Sequence, residues 1–168
     1  DKNMGISVKE DNYDQLFCQV KGYLHLNQYK RSEKILRHLI PYLQFYRRNK
    51  YLAELLFQQA VIFWDEGLHG QALRKTIESF MVSGEARFVG FYTVYEKKGE
   101  EVLEAYIDWL SKNSPGGWHR KKKYNYGNVL RMPKEDYMEV VLRCARREAR
   151  ISRSAEEATE EHLTMMET

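Results

Sequence analysis

The sequence predicts an all-α fold: antiparallel helix pairs stacked as a short solenoid, with an additional C-terminal helix. Three observations carry this. Apolar residues recur at helical spacing along most of the chain. No stretch combines sustained alternation with strand composition, so no strand is expected. Polar or glycine-bearing joints divide the apolar stripes into pieces of ordinary helix length.

Residues 1–11 read as a polar N-terminal extension. They lack the apolar stretch of a signal peptide, and a chain opening on Asp1 reads as a processed product or an excised fragment. The first stripe is Leu16, Phe17, Val20, Tyr23 and Leu24, and "HLNQYK" separates it from Ile35, Leu36, Leu39, Ile40 and Leu43. Pro41 lies inside that second stripe and predicts a kink or break there. After the polar joint "FYRRNK" comes a third stripe, Leu52, Leu55, Leu56, Ala60, Phe63 and Trp64. "EGLHGQ" holds two glycines where a helix must stop and turn, and Leu73, Thr76, Ile77 and Phe80 follow. Phe88, Phe91, Tyr92 and Tyr95 again have helical spacing, "SGEAR" and "KKGEE" read as further turns, and Val102, Leu103, Tyr106, Ile107 and Leu110 complete the helical region 12–112. Residues 113–132, with a proline, three glycines and a run of cations, read as a basic loop. Pro133 can open an amphipathic helix over 133–151, buried through Tyr137, Val140, Val141 and Cys144. Residues 152–168 read as an acidic linker or frayed helix towards a missing C-terminal domain.

The third and fourth stripes align with the first and second at a separation of forty residues. Val20 then matches Ala60, Tyr23 matches Phe63, Asn27 matches Gly67, Ser32 matches Ala72 and Leu36 matches Thr76. Slim residues let paired helices approach closely, an aromatic covers their crossing, and Asn or Gly at the turn accepts a left-handed backbone. This pattern resembles the tetratricopeptide repeat, lengthened from its usual period of about 34 residues. "GFYTVYEKKGEEVLEAYIDWL" reads as a third, degenerate unit through Tyr95, Gly99 and Ala105.

The same segment, through Gly90, Phe91, Tyr95 and Gly99, is similar to the stretch that closes the helical domain of large bacterial LuxR-family regulators of the MalT type. Lys97 and Lys98 depart from it, standing where acidic residues are common. Leu163, Thr164 and Glu167 resemble the opening of a LuxR-type DNA-binding domain. The resemblance implies a sensor domain of a transcriptional regulator, switched by a small-molecule effector or protein partner. It places DNA binding in a missing C-terminal domain and ATP only in a missing N-terminal one, so no cofactor is expected in this chain. The region 115–150 has no counterpart in that family.

Composition narrows the remaining functions. Cys18 and Cys144 are the only cysteines and suit thiols of a reducing cytoplasm, the expected location. No run of about 18 apolar residues exists, so no membrane span is expected. The formal charge of +3 hides an asymmetry. Residues 118–153 carry eleven Lys/Arg against four Asp/Glu, a net of +7, and residues 154–168 carry five Glu and no Lys/Arg. There is no phosphate-binding glycine loop, no HExxH and no GxSxG, and the five histidines have no ligand spacing, so neither catalysis nor metal binding is expected.

Two surfaces are candidates. In a repeat array the first helix of each unit lines the concave face. Counting from Val20 and Ala60 places Phe17, Lys21, Leu24, Phe57, Val61 and Trp64 there, either as a ligand or peptide groove or as plain core. "WHRKKKYNY", with Arg120, Lys121, Lys122 and Lys123, interleaves cations with aromatics, a pattern that suits phosphate backbones, a solvated loop or contact with another domain. Two functions compete with the sensor reading: a stand-alone tetratricopeptide-like adaptor that binds a peptide or protein, and nucleic-acid binding through the basic third. A homo-oligomer is open too, because repeat arrays expose apolar ends when cut from a larger protein.

Overall fold

The computed structural model describes residues 6–83, 86, 88–113, 122–123, 129–130 and 135–166. Six α-helices dominate them: α1 (Tyr13–His25), α2 (Tyr29–Phe45), α3 (Asn49–Asp65), α4 (His69–Ser83), α5 (Glu96–Asn113) and α6 (Glu135–Met166). A short 3-10 turn, Gly90–Tyr92, precedes α5. The all-α expectation holds. It has one local exception: β1 (Lys122–Lys123) pairs antiparallel with β2 (Val129–Leu130), Lys122 opposite Leu130, where no strand was expected. A two-residue ladder is too short to show the alternation that identifies a strand in sequence.

The first four helices follow one another through three turns of the same construction. Asn27, Arg47 and Gly67 all have positive φ, at 55°, 51° and 76°. In each turn the next residue's N–H reaches back to a carbonyl five residues earlier: Gln28 to Tyr23 at 2.7 Å, Arg48 to Leu43 at 2.9 Å and Leu68 to Phe63 at 2.8 Å. The left-handed residue itself donates three residues back, to Leu24, Gln44 and Trp64. These paired bonds satisfy carbonyls that a helix end leaves open. The turn therefore recurs every twenty residues, and the forty-residue spacing in the sequence is two turns.

The helices pack as pairs, α1 on α2, α3 on α4 and α5 on α6, and the pairs stack through α2–α3, α4–α5 and the series α1, α3, α5. α6 takes the second-helix place of the third pair, although the connection to it exceeds twenty residues. The aligned residues Val20, Ala60, Ser32, Ala72, Leu36 and Thr76 are all buried at the pair crossings.

Two apolar clusters meet at α3. Leu52, Leu55 and Leu56 face Phe17, Val20, Leu36, Leu39 and Leu43. Ala53, Phe57, Ala60 and Val61 face Phe80, Tyr92, Leu103, Tyr106 and Met138. α3 is apolar almost all round because it is covered on two sides. In the second cluster Phe80 is sandwiched between Tyr92, 4.2 Å away and nearly parallel, and Tyr106, 4.9 Å away. The Tyr92 hydroxyl lies 3.0 Å from Ser79 Oγ and 2.8 Å from Ser83 Oγ, and Ser79 Oγ donates to Ala53 O at 2.6 Å. Every hydroxyl in this buried group is satisfied, as burial requires.

Five local expectations are corrected, one of them that Val140 is buried, since it is exposed on α6. α2 runs unbroken through Pro41. Pro41 and Arg37 are exposed, so the carbonyl that loses its amide partner faces water. Phe88 to Tyr95 is not an α-helix: the 3-10 turn occupies its middle, and Glu96 has a φ of 51° at the start of α5. "KKGEE" is not a turn but the first stretch of α5. Gly99 is there for space, since a Cβ on it would lie 2.8 Å from Tyr95 Cβ. The last concerns the acidic segment, where α6 does not stop near 151 but continues to Met166.

Candidate functional site

α1, α3 and the start of α5 enclose a cleft of about 870 Å³, within the range of small-ligand sites, about 300–1,000 Å³. Lys21, Leu24 and His25 line it from α1, and Gln58, Val61 and Ile62 from α3. Each trio has i, i+3, i+4 spacing, which puts its members on one helix side. Val94, Tyr95 and Glu96 to Lys98 form the third wall, with Asn27 and Tyr29 at one end.

Ion pairs join the walls. Lys21 Nζ lies 2.7 Å from Glu54 Oε1 of α3, a carboxylate that is itself mostly buried. Lys98 Nζ lies 2.5 Å from Asp65 Oδ1, and the Tyr29 hydroxyl donates to Asp65 Oδ2 at 2.8 Å. The bond from Lys98, then that from Tyr29, holds the Asp65 carboxyl below its ordinary value against a smaller opposing effect of burial. Burial, reinforced by Asp65, pushes the Tyr29 phenol up to about 12.

Two polar atoms in the wall stand out. Gln58 is 2% exposed, and neither its Oε1 nor the buried Tyr95 hydroxyl has a hydrogen bond of normal geometry. Burial pushes the Tyr95 phenol well up, the Glu54 charge adds to this, and the nearby Gln58 amide opposes it.

The structure divides the six groove candidates. Lys21, Leu24 and Val61 line the cleft. Phe17 is core, edge-on to Tyr51 at 4.9 Å, with Lys21 Nζ 5.5 Å above its ring. Phe57 is fully buried against Tyr92 and Tyr95 at 4.8 and 5.6 Å. Trp64 is half-buried outside the cleft, stacked on His69 at 4.2 Å and donating from Nε1 to Glu101 Oε2 at 2.9 Å. Phe57 and Trp64 therefore do not form one aromatic line, because α3 turns Phe57 into the second cluster. Cys18 is exposed and Cys144 half-buried.

Sequence reasoning missed Gln58 and Tyr95. A buried glutamine has no mark in a sequence, and Tyr95 reads as one more apolar helix position. Lys98 was visible only as a departure from the family pattern. In the basic segment, Arg120 and Lys121 lie outside the described residues, and Lys122 and Lys123 form β1. Among the described residues no three His, Cys, Asp or Glu side chains gather as a metal site, and no helix is long and apolar enough to cross a membrane.

No protein-family model matches the chain, and no curated protein or solved structure matches it.

Proposed function

We propose that this chain is an effector-sensing or protein-interaction domain and that the cleft between α1, α3 and α5 is its binding site. The observation that carries this reading is the cleft itself, of ligand size, with Lys21 and Lys98 at its walls beside the apolar Leu24, Val61 and Ile62. A ligand carrying an anionic or acceptor group can engage the two ammonium groups, while Leu24, Val61 and Ile62 supply apolar contact. Tetratricopeptide-like packing and the resemblance of the segment from Gly90 to Leu110 support a sensor of a LuxR-type regulator. The adaptor reading uses the same cleft and differs in taking a protein segment.

Switching follows from the ion pairs. Any ligand group that engages Lys21 or Lys98 competes with Glu54 or Asp65, and those contacts tie the helix pairs together. Binding then favours one arrangement of the pairs over another.

The test is a thermal-shift and NMR screen of small metabolites and short peptides, repeated on Val94→Trp. Val94 is 60% exposed and lines the cleft, so a Trp there fills space without entering the core. Hits that vanish in the variant at unchanged melting temperature support the reading. Hits that persist unchanged sink it.

A further inference from the structure

We propose that α6 pairs antiparallel with α6 of a second copy of this chain, about a two-fold axis beside Ile151. The inference begins with length. α6 has 32 residues and α5 has 18, so at 1.5 Å per residue α6 extends roughly 48 Å against roughly 27 Å. Tyr137, Met138, Val141, Ala145 and Ala149 are buried, whereas every residue from 153 to 160 is exposed. A helix wet on all sides is only marginally stable by itself.

One side of α6 has the makings of a contact. Val140, Arg147, Ile151, Ser154 and Ala158 follow at steps of seven, four, three and four, which keeps them on one side of the helix. Val140 and Ile151 are 44% and 53% exposed, the two large apolar side chains that α6 leaves in water among the described residues. Ser154 and Ala158 are small enough to let a second backbone approach.

Charge selects the occupant. Arg143, Arg147, Arg150 and Arg153 precede Glu156 and Glu157 along the same helix, and none of the six has an ion-pair partner among the described residues. A parallel copy would set the arginines against one another. An antiparallel copy sets the basic block against the acidic one. Arg147 stands five residues before Ser152 and Glu157 five after it, so a two-fold axis at that level brings each Arg147 to the partner's Glu157. The same axis sets Ile151 opposite the partner's position 153, so the two Ile151 side chains lie beside each other with an offset of two residues, roughly 3 Å along the helix. The contact is isologous and closes as a dimer.

The experiment is sedimentation of the whole chain over a concentration series, with circular dichroism confirming that each variant is folded. Arg147→Glu and Glu157→Arg are each expected to weaken dimerisation by about tenfold, since a two-fold pair contains each contact twice. The double variant Arg147→Glu/Glu157→Arg is expected to restore it. Oxidation supplies a positional readout. With Cys18 and Cys144 changed to Ser, Ile151→Cys cross-links two chains, whereas Cys144 kept alone does not. A monomer at every concentration overturns the proposal. So does a dimer indifferent to both single reversals, one the double variant fails to restore, or one that cross-links through Cys144.

Discussion

The Lys98 ammonium lies 2.5 Å from the Asp65 carboxylate, and this pair links the end of α3 to the start of α5. Because Tyr29 of α2 donates to the same carboxylate, Asp65 ties all three helix pairs together at the edge of the cleft.

Asp65→Asn tests that link. The group is partly exposed, so the ion pair itself contributes at most about 1 kcal/mol, and the Tyr29 bond adds about 1 kcal/mol. A melting temperature lower by a few degrees is expected. The Asp65 value is depressed on folding, so its contribution is complete above the ordinary carboxylate value of 3.8 and is lost as pH falls through the folded value. Melting curves of the two proteins should converge at strongly acid pH and stay apart at pH 7.

Arg47 occupies a backbone position that Asn27 and Gly67 occupy in the neighbouring turns. An L-residue with a β-carbon pays about 1 kcal/mol there. Arg47→Gly should therefore raise stability in urea by up to about 1 kcal/mol, and Gly67→Ala should lower it by a similar amount. An unchanged midpoint in both variants would show that the turns are relaxed some other way.

Phe57 and Trp64 should part company under mutation. Phe57→Ala empties a site in the second cluster and is expected to cost about 3–5 kcal/mol. Trp64→Ala removes a half-buried ring and one hydrogen bond and should cost less, with binding in the cleft retained. Chemical denaturation of both variants distinguishes these outcomes.

The tyrosines offer a spectroscopic check. Burial first, then the bond to Glu10, pushes Tyr42 up to about 12, the same value as Tyr29. Both raised values favour the folded state fully below the ordinary phenol value of 10, an advantage lost as pH rises towards 12. Ultraviolet titration should show these two ionising late, with Tyr92 and Tyr95 silent until the chain unfolds. Asp65→Asn should bring Tyr29 back towards 10 and leave Tyr42 in place.

Helix content and pair stacking were legible because they rest on local chemistry: a stripe of apolar residues and a residue tolerant of positive φ at each turn. The middle joint was legible from its polarity, but its kinship with the other two turns was not, because Arg47 carries no such mark. Gly99 misled for the opposite reason: the same residue type serves a turn at Gly67 and a close contact with Tyr95 within a helix. The cleft was half legible. Helical register alone puts Lys21, Leu24 and Val61 on the concave side. Register does not reveal that α3 is covered on two sides, and that double covering is what removes Phe57 from the surface and leaves Gln58 in the wall.

α3 also governs how a disturbance spreads. Leu55 and Phe57 are two residues apart, yet one belongs to the first cluster and the other to the second. The two clusters thus share one helix, so a shift of α3 alters the packing of both.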